Sequence, residues 1–144
     1  MAQSYRHILV AVELTDDGFK VADRANDIAI RCGARLSLLH VVEPLPIDAT
    51  GEAILPPTIG LESELSQNAE QRLREFAEQL NNDQISRHVS VGYTKREILG
   101  FAEQHGVDLI VVGSHGRHGL SLLLGSTANA VLHGATCDVL AVRI

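Results

Sequence analysis

The residues best suited to chemistry lie in one glycine-rich stretch, Val111-Val112-Gly113-Ser114-His115-Gly116-Arg117-His118-Gly119, which runs on to Gly125, Ser126 and Thr127. Glycines let backbone N–H groups approach phosphate oxygens, and a helix starting after such a loop adds partial positive charge. Ser126 and Thr127 open the next helical pattern and offer hydroxyls to the same anion. Arg117 suits anion contact through its planar fork of donors. The spacing is neither a Walker A loop nor the G-x-G-x-x-G dinucleotide signature. On chemistry alone, phosphate binding and simple tight turns at Gly113, Gly116 and Gly119 both stay open.

Other chemistries fit less well. His115 and His118 lie three apart, but no HExxH, CxxC or carboxylate cluster accompanies them to complete a metal site. Gly113-Ser114-His115-Gly116 is not the GxSxG elbow of a serine hydrolase. Cys32 and Cys137 are far apart in apolar surroundings, which predicts buried, unpaired thiols in a reducing compartment.

The elements that must position the glycine stretch are written in the hydrophobic pattern. The runs Ile8–Val12, Leu36–Val42, Leu109–Val112 and Val139–Val142 are short, apolar and β-rich, as expected of strands buried on both faces. His88–Gly92 alternates and predicts an edge strand. Helical spacing joins Val21, Ala25, Ile28, Ala29 and Cys32, with Asp16 and Asp17 as N-caps and Gly33 as the C-cap. It returns through Leu65, Ala69, Leu73, Phe76, Ala77 and Leu80, ending at Asn81-Asn82. Thr94 and Glu97 predict a capping box ahead of Ile98, Phe101, Ala102 and His105. Ala128, Val131, Leu132 and Ala135 give a short last helix. Glu43 to Gly60 holds all four prolines and predicts a long loop.

Strict alternation of strand and helix predicts one α/β domain over residues 1–144, a doubly wound five-stranded parallel sheet flanked by helices on both faces. In such a sheet, ligands sit beyond the carboxyl ends of the strands, where strand order reverses. A response-regulator receiver alternates similarly, but its third strand ends in an acidic phosphoacceptor, whereas here it ends at Gly92-Tyr93.

Composition narrows the partners. Of 144 residues, 45% are apolar and 21% charged, so a packed core is expected rather than disorder. The net charge of −6 and the lack of a basic tract argue against nucleic acid. No apolar run approaches the ~18 residues needed to cross a bilayer, and Met1 to Ile8 lacks a signal-peptide core, so a cytoplasmic location is expected.

Taken together, these blocks resemble the universal stress protein family along the whole chain. Arg6–Val12 is similar to its first strand, Leu38–Val42 to its second, and Asp108–Gly116 to its most recognisable block. The glycines resemble the family's nucleotide signature, Gly-x2-Gly-x9-Gly-Ser/Thr, with two departures. Eight residues, Arg117 to Leu124, separate Gly116 from Gly125 where that pattern has nine, and Glu13 stands where its ATP binders usually carry Asp. The resemblance implies ATP, with Mg²⁺, as the ligand. Ala11, Val12, Glu13 and Val41 would then line the adenine and ribose, and Gly113, His115, Gly116, Gly125, Ser126 and Thr127 the phosphates. Strand core is the plain alternative for Ala11, Val12 and Val41, and helix capping for Glu13. The resemblance further implies a homodimer through Val139–Val142, an exposed edge if that strand ends the sheet.

Three functions follow as expectations. The first is a nucleotide-binding regulator of the stress response, acting on protein partners the sequence does not identify. The second is a dimeric interaction protein without nucleotide. The third is a slow ATPase or autophosphorylating protein, for which only Glu13 or His115 offers a base beside the phosphates.

Overall fold

The structure, a computed structural model, describes residues 4–44, 61–115 and 124–144. The elements run β1 (His7–Ala11), α1 (Asp16–Cys32), β2 (Arg35–Val42), α2 (Leu61–Leu80), β3 (Ile85–Val91), α3 (Thr94–Gln104), β4 (Leu109–Gly113), α4 (Ser126–Gly134) and β5 (Asp138–Val142). All strand pairs are parallel, in the order β3-β2-β1-β4-β5. The expected α/β fold with a five-stranded parallel sheet is therefore the fold observed.

Order reverses between β1 and β4. From β1 the chain winds outward through β2 and β3, then crosses back to β4 and β5. The apolar runs occupy the middle of the sheet, where both faces are covered: Ile8, Leu9, Val10, Ile110 and Val111 are fully buried. Burying such a side chain contributes about 1.5–3 kcal/mol. Alternation then splits them between two cores. Ile8, Val10, Leu36, Leu38 and Val111 pack under α1 and α2, through Val21, Ala25, Ala29, Leu73, Phe76 and Leu80. Leu9, Leu39, Ile110 and Val112 pack under α3 and α4, through Ile98, Ala102, Ala128 and Val131.

Several local expectations change. Thr15, not Asp16 or Asp17, caps α1: its Oγ1 accepts from the Gly18 amide at 3.0 Å. The two aspartates instead occupy the first turn, where their charge complements the helix's positive end. No capping box forms at α3, because the N-cap is Tyr93 and Thr94 is already the first helical residue; its hydroxyl donates to Glu43 at 2.8 Å. Strand β3 starts at Ile85 rather than His88 and forms one edge of the sheet, as expected. Cys32 and Cys137 are free but only half-buried, because both sit at element ends rather than in the sheet's centre. Gly33 takes the left-handed C-cap conformation expected of it, with φ 66°. Residues 45–60 of the proline-bearing loop lie outside the described residues.

Candidate ligand cleft at the switch point

Strand β1 leaves the sheet beside its neighbour β2, and two bonds hold that exit. The Val12 amide donates to the Leu39 carbonyl at 2.9 Å, and His40 Nδ1–H donates to the Val12 carbonyl at 2.7 Å. The chain then turns through Glu13 into α1. A Cβ on Gly18 would collide with the Glu13 carbonyl, so only glycine allows this close return of helix onto turn. The backbone at Glu13 is thus fixed by its neighbours, while its side chain stays exposed.

Across the switch point, β4 ends at Gly113. A Cβ there would stand 3.2 Å from Ile144 Cδ1 and 3.4 Å from Val21 Cγ2, so space is tight. The next residue ties three elements together. The Ser114 amide donates to the Val142 carbonyl of β5 at 2.8 Å, and the Ser114 carbonyl accepts from the Gly125 amide at 2.7 Å. That second bond brings the start of α4 against the end of β4.

Helix α4 begins without a side-chain cap, since its N-cap is Gly125. Its first internal bond runs from the Asn129 amide to the Gly125 carbonyl. The amides of Ser126, Thr127 and Ala128 are therefore the orphan donors of a helix start, and they carry its positive partial charge. Nearby, Ser114 Oγ and His115 Nδ1 are buried with no hydrogen-bond partner among the described residues. A buried polar atom left so is costly, and a ligand oxygen is one way to satisfy it.

The ends of β1, β2 and β4, His115 and the start of α4 open onto one cleft of about 790 Å³ at the carboxyl edge of the sheet. Ala11, Val12, Glu13, Val41, Gly113, His115, Gly125, Ser126 and Thr127 all line it. Gly116, the tenth residue expected there, lies outside the described residues, as do Arg117 and His118. Leu39, Val41 and Val112 supply apolar wall, while Glu13, Glu43 and Thr94 supply polar groups.

Sequence reasoning missed Asn68 and Arg72 of α2, and His40 of β2. Asn68 and Arg72 are four apart and share a helix face. Arg72 is the one Lys or Arg side chain lining the cleft among the described residues. The sequence signal was that spacing in the middle of α2, beside the buried Ala69. A second, shallower groove of about 660 Å³ runs between α1 and β5 and is lined by none of the nine expected residues that the structure describes. Among the described residues, no cluster of three or more His, Cys, Asp or Glu could hold a metal ion. No helix among them is long and apolar enough to cross a membrane.

Fold and site together define a doubly wound α/β protein with an open cleft at its switch point. The universal stress protein family model matches residues 4–143, and the chain belongs to that family. Universal stress protein A homolog 2 of Coxiella burnetii (strain RSA 493 / Nine Mile phase I) is 45% identical over 142 residues, covering 98% of this chain and 97% of the relative. The solved structure of universal stress protein UspA from Lactobacillus plantarum has a TM-score of 0.73 at 28% identity, covering 99% of this chain and 100% of that one. A universal stress protein crystallised in complex with cAMP has a TM-score of 0.67 at 24% identity, covering 97% and 98%. At that identity the likeness is one of fold.

Proposed function

We propose that this protein is a nucleotide-binding regulatory module of the stress response, with ATP or a related adenine nucleotide in the switch-point cleft. The observation that carries this reading is the uncapped start of α4 opening onto the same cleft as the ends of β1 and β2. An anion at a helix N-terminus is held by backbone donors and by the dipole together. The amides of Ser126, Thr127 and Ala128 would take phosphate oxygens, with the hydroxyls of Ser126 and Thr127 beside them. Ala11, Val12 and Val41 form the flat apolar side suited to a base, and Glu13 an acceptor suited to ribose hydroxyls. Magnesium would enter bound to the phosphates, and Glu13 and Glu43 are the cleft carboxylates that fit it.

Regulation would run through dimerisation. Strand β5 is the outer strand of the sheet, paired only with β4 among the described strands. An unpaired strand edge is a template for a second chain. The Gly125–Ser114–Val142 bonds connect that edge to the cleft, so ligand contacts on α4 bear on a homodimer formed through Val139–Val142. Two unpaired cysteines suit a reducing cytoplasm.

Isothermal titration with Mg-ATP tests the reading. It expects saturable binding at one site per chain. No heat at millimolar nucleotide, together with no adenylate released from the denatured purified protein, would instead leave a dimeric interaction protein that works without nucleotide.

A further inference from the structure

At the opposite end of the sheet, three adjacent strands place polar residues on the face that α3 covers. Ser37 pairs with Leu9 and with Ser86, and His88 pairs with Leu39. Leu9 and Leu39 belong to the core beneath α3 and α4. Alternation along each strand therefore sets His7, Ser37, Ser86 and His88 on that same face. His7 and Ser37 are buried, 4% and 1% exposed.

The four side chains form one hydrogen-bonded row. His7 Nδ1 lies 3.1 Å from the His105 carbonyl, and His7 Nε2 lies 2.7 Å from Ser37 Oγ. Ser37 Oγ lies 2.8 Å from Ser86 Oγ, which lies 3.1 Å from His88 Nε2. A carbonyl only accepts, so His7 Nδ1 carries the proton and Nε2 of the neutral ring accepts. Each later direction follows from that anchor. Ser37 donates to His7, Ser86 donates to Ser37, and His88 Nε2–H donates to Ser86.

While Ser86 is exposed and His88 half-buried at the sheet edge, helix α3 covers the buried His7–Ser37 end of this row with Phe101. Its ring stacks on His105 at 4.0 Å, meets His88 at 4.7 Å and meets the edge of His7 at 6.5 Å. The charged and titratable groups around His7 come from each element packed there. Arg35 of β2 brings Nη2 to 3.5 Å from His7 Nδ1, and His105 closes the end of α3. Asp108, before β4, accepts from the main-chain amides of Arg6 and His7 rather than from the ring. His88 of β3 completes the set, 6.1 Å from His105 between ring centres.

A proton on His7 Nε2 turns that atom from acceptor to donor. The buried Ser37 hydroxyl must then rotate toward Ser86, whose exposed hydroxyl turns to His88 or to water. The same proton places a cation in a dry site beside the Arg35 guanidinium. A proton on His88 adds repulsion from His105 and His7, against a single attraction to the Phe101 ring. Burial, first, and these like charges hold both His7 and His88 below the ordinary histidine value.

We propose that this imidazole–serine row is an acid-operated release for helix α3 and edge strand β3, gripping while His7 and His88 are neutral and loosening when they take up protons. Helix α3 has Thr94 at its other end, in the cleft and bonded to Glu43. The release therefore acts on a helix that reaches the ligand site.

Hydrogen exchange measured by mass spectrometry at about pH 7.5 and about pH 5.5, corrected for intrinsic amide rates, tests this directly. Peptides of α3 and β3 are expected to lose protection several-fold more than peptides of β1 and β4 on acidification. His88→Gln, which keeps a donor toward Ser86, is expected to reduce that difference, and His7→Gln to abolish it if the variant folds. Equal loss of protection across all strands would overturn the proposal. So would an undiminished acid response in His88→Gln, or a His7 imidazole signal that titrates at or above the ordinary value in the folded protein.

Discussion

The Ser114 amide donates to the Val142 carbonyl across 2.8 Å, so the turn that ends β4 is bonded to the outermost strand of the sheet. The Ser114 carbonyl in turn accepts from Gly125 at 2.7 Å. One residue thus links the sheet edge, the glycine turn and the opening of α4. A ligand that draws α4 toward itself pulls on the same residue that steadies β5.

That link allows the edge to be tested without disturbing the ladder. Backbone groups of successive strand residues point to opposite sides. With the Val142 carbonyl turned to Ser114, the Ala141 amide points away from β4. Ala141→Pro removes an outward donor only, which an edge strand tolerates. The proposed interface predicts, in sedimentation velocity, a dimer for the unsubstituted protein and a folded monomer for Ala141→Pro. An Ala141→Pro dimer of native stability would count against the β5 interface.

The α4 opening can be separated from fold stability. Gly125 has φ −61° and ψ 155°, a conformation open to any side chain. Gly125→Asp supplies a capping carboxylate and should stabilise the protein by a few tenths of a kcal/mol. The same carboxylate occupies the amides and repels phosphate, so ATP affinity should fall at least tenfold, about 1.4 kcal/mol. Urea denaturation and calorimetric titration on one preparation read both effects. A variant that gains stability yet binds ATP as before would mean that the phosphates lie elsewhere.

Gly18 should prove sensitive although it lies on a helix. Gly18→Ala sets a methyl group against the Glu13 carbonyl, and neither backbone moves freely. Overpacking of this kind costs about 1–3 kcal/mol. The lower urea midpoint should come with weaker nucleotide binding, because Glu13 and Val12 shift with the turn.

Stability should also fall on the acid side. His7 and His88 are both held below the ordinary value of 6.5, mainly by burial. The unfolded chain therefore binds more protons below that pH than the fold does, and the free energy of unfolding falls as pH drops. The stabilisation is complete above the unfolded value and is lost as pH falls from there toward the folded values. Urea midpoints across this range should decline from near pH 6.5 downward, and His7→Gln should flatten the decline. At the alkaline side, burial, first, and the Asp138 carboxylate push the Cys137 thiol up, so it should alkylate more slowly at neutral pH than a free thiol.

The strands of the sheet's centre were legible because burial on both faces leaves an unbroken apolar run, as in Ile8-Leu9-Val10. The start of β3 was not, because Ser86-Arg87-His88 is an unbroken polar run, of which Ser86 and His88 belong to the histidine–serine row. Helix periods revealed core faces such as Leu73 and Phe76 correctly. They did not reveal that Asn68 and Arg72 stand over the cleft, since that depends on how α2 crosses the sheet edge. The Thr94–Glu97 pattern failed because α3 starts with Tyr93 as its N-cap, which puts Thr94 inside the helix, where its hydroxyl reaches Glu43, fifty-one residues away. The edge of the sheet that bears the cleft was legible because the switch-point rule turns strand order into a location, whereas the individual residues of β1, β4 and α4 came from the family resemblance.

Amide chemical shifts of the ¹⁵N-labelled protein during titration with Mg-ATP test the central claim most directly. The largest, saturable shifts should fall on Ser126, Thr127 and Ala128, with smaller ones at Ser114 and Val142. Absence of shifts in the opening turn of α4 at saturating nucleotide, or shifts confined to the groove between α1 and β5, would contradict it.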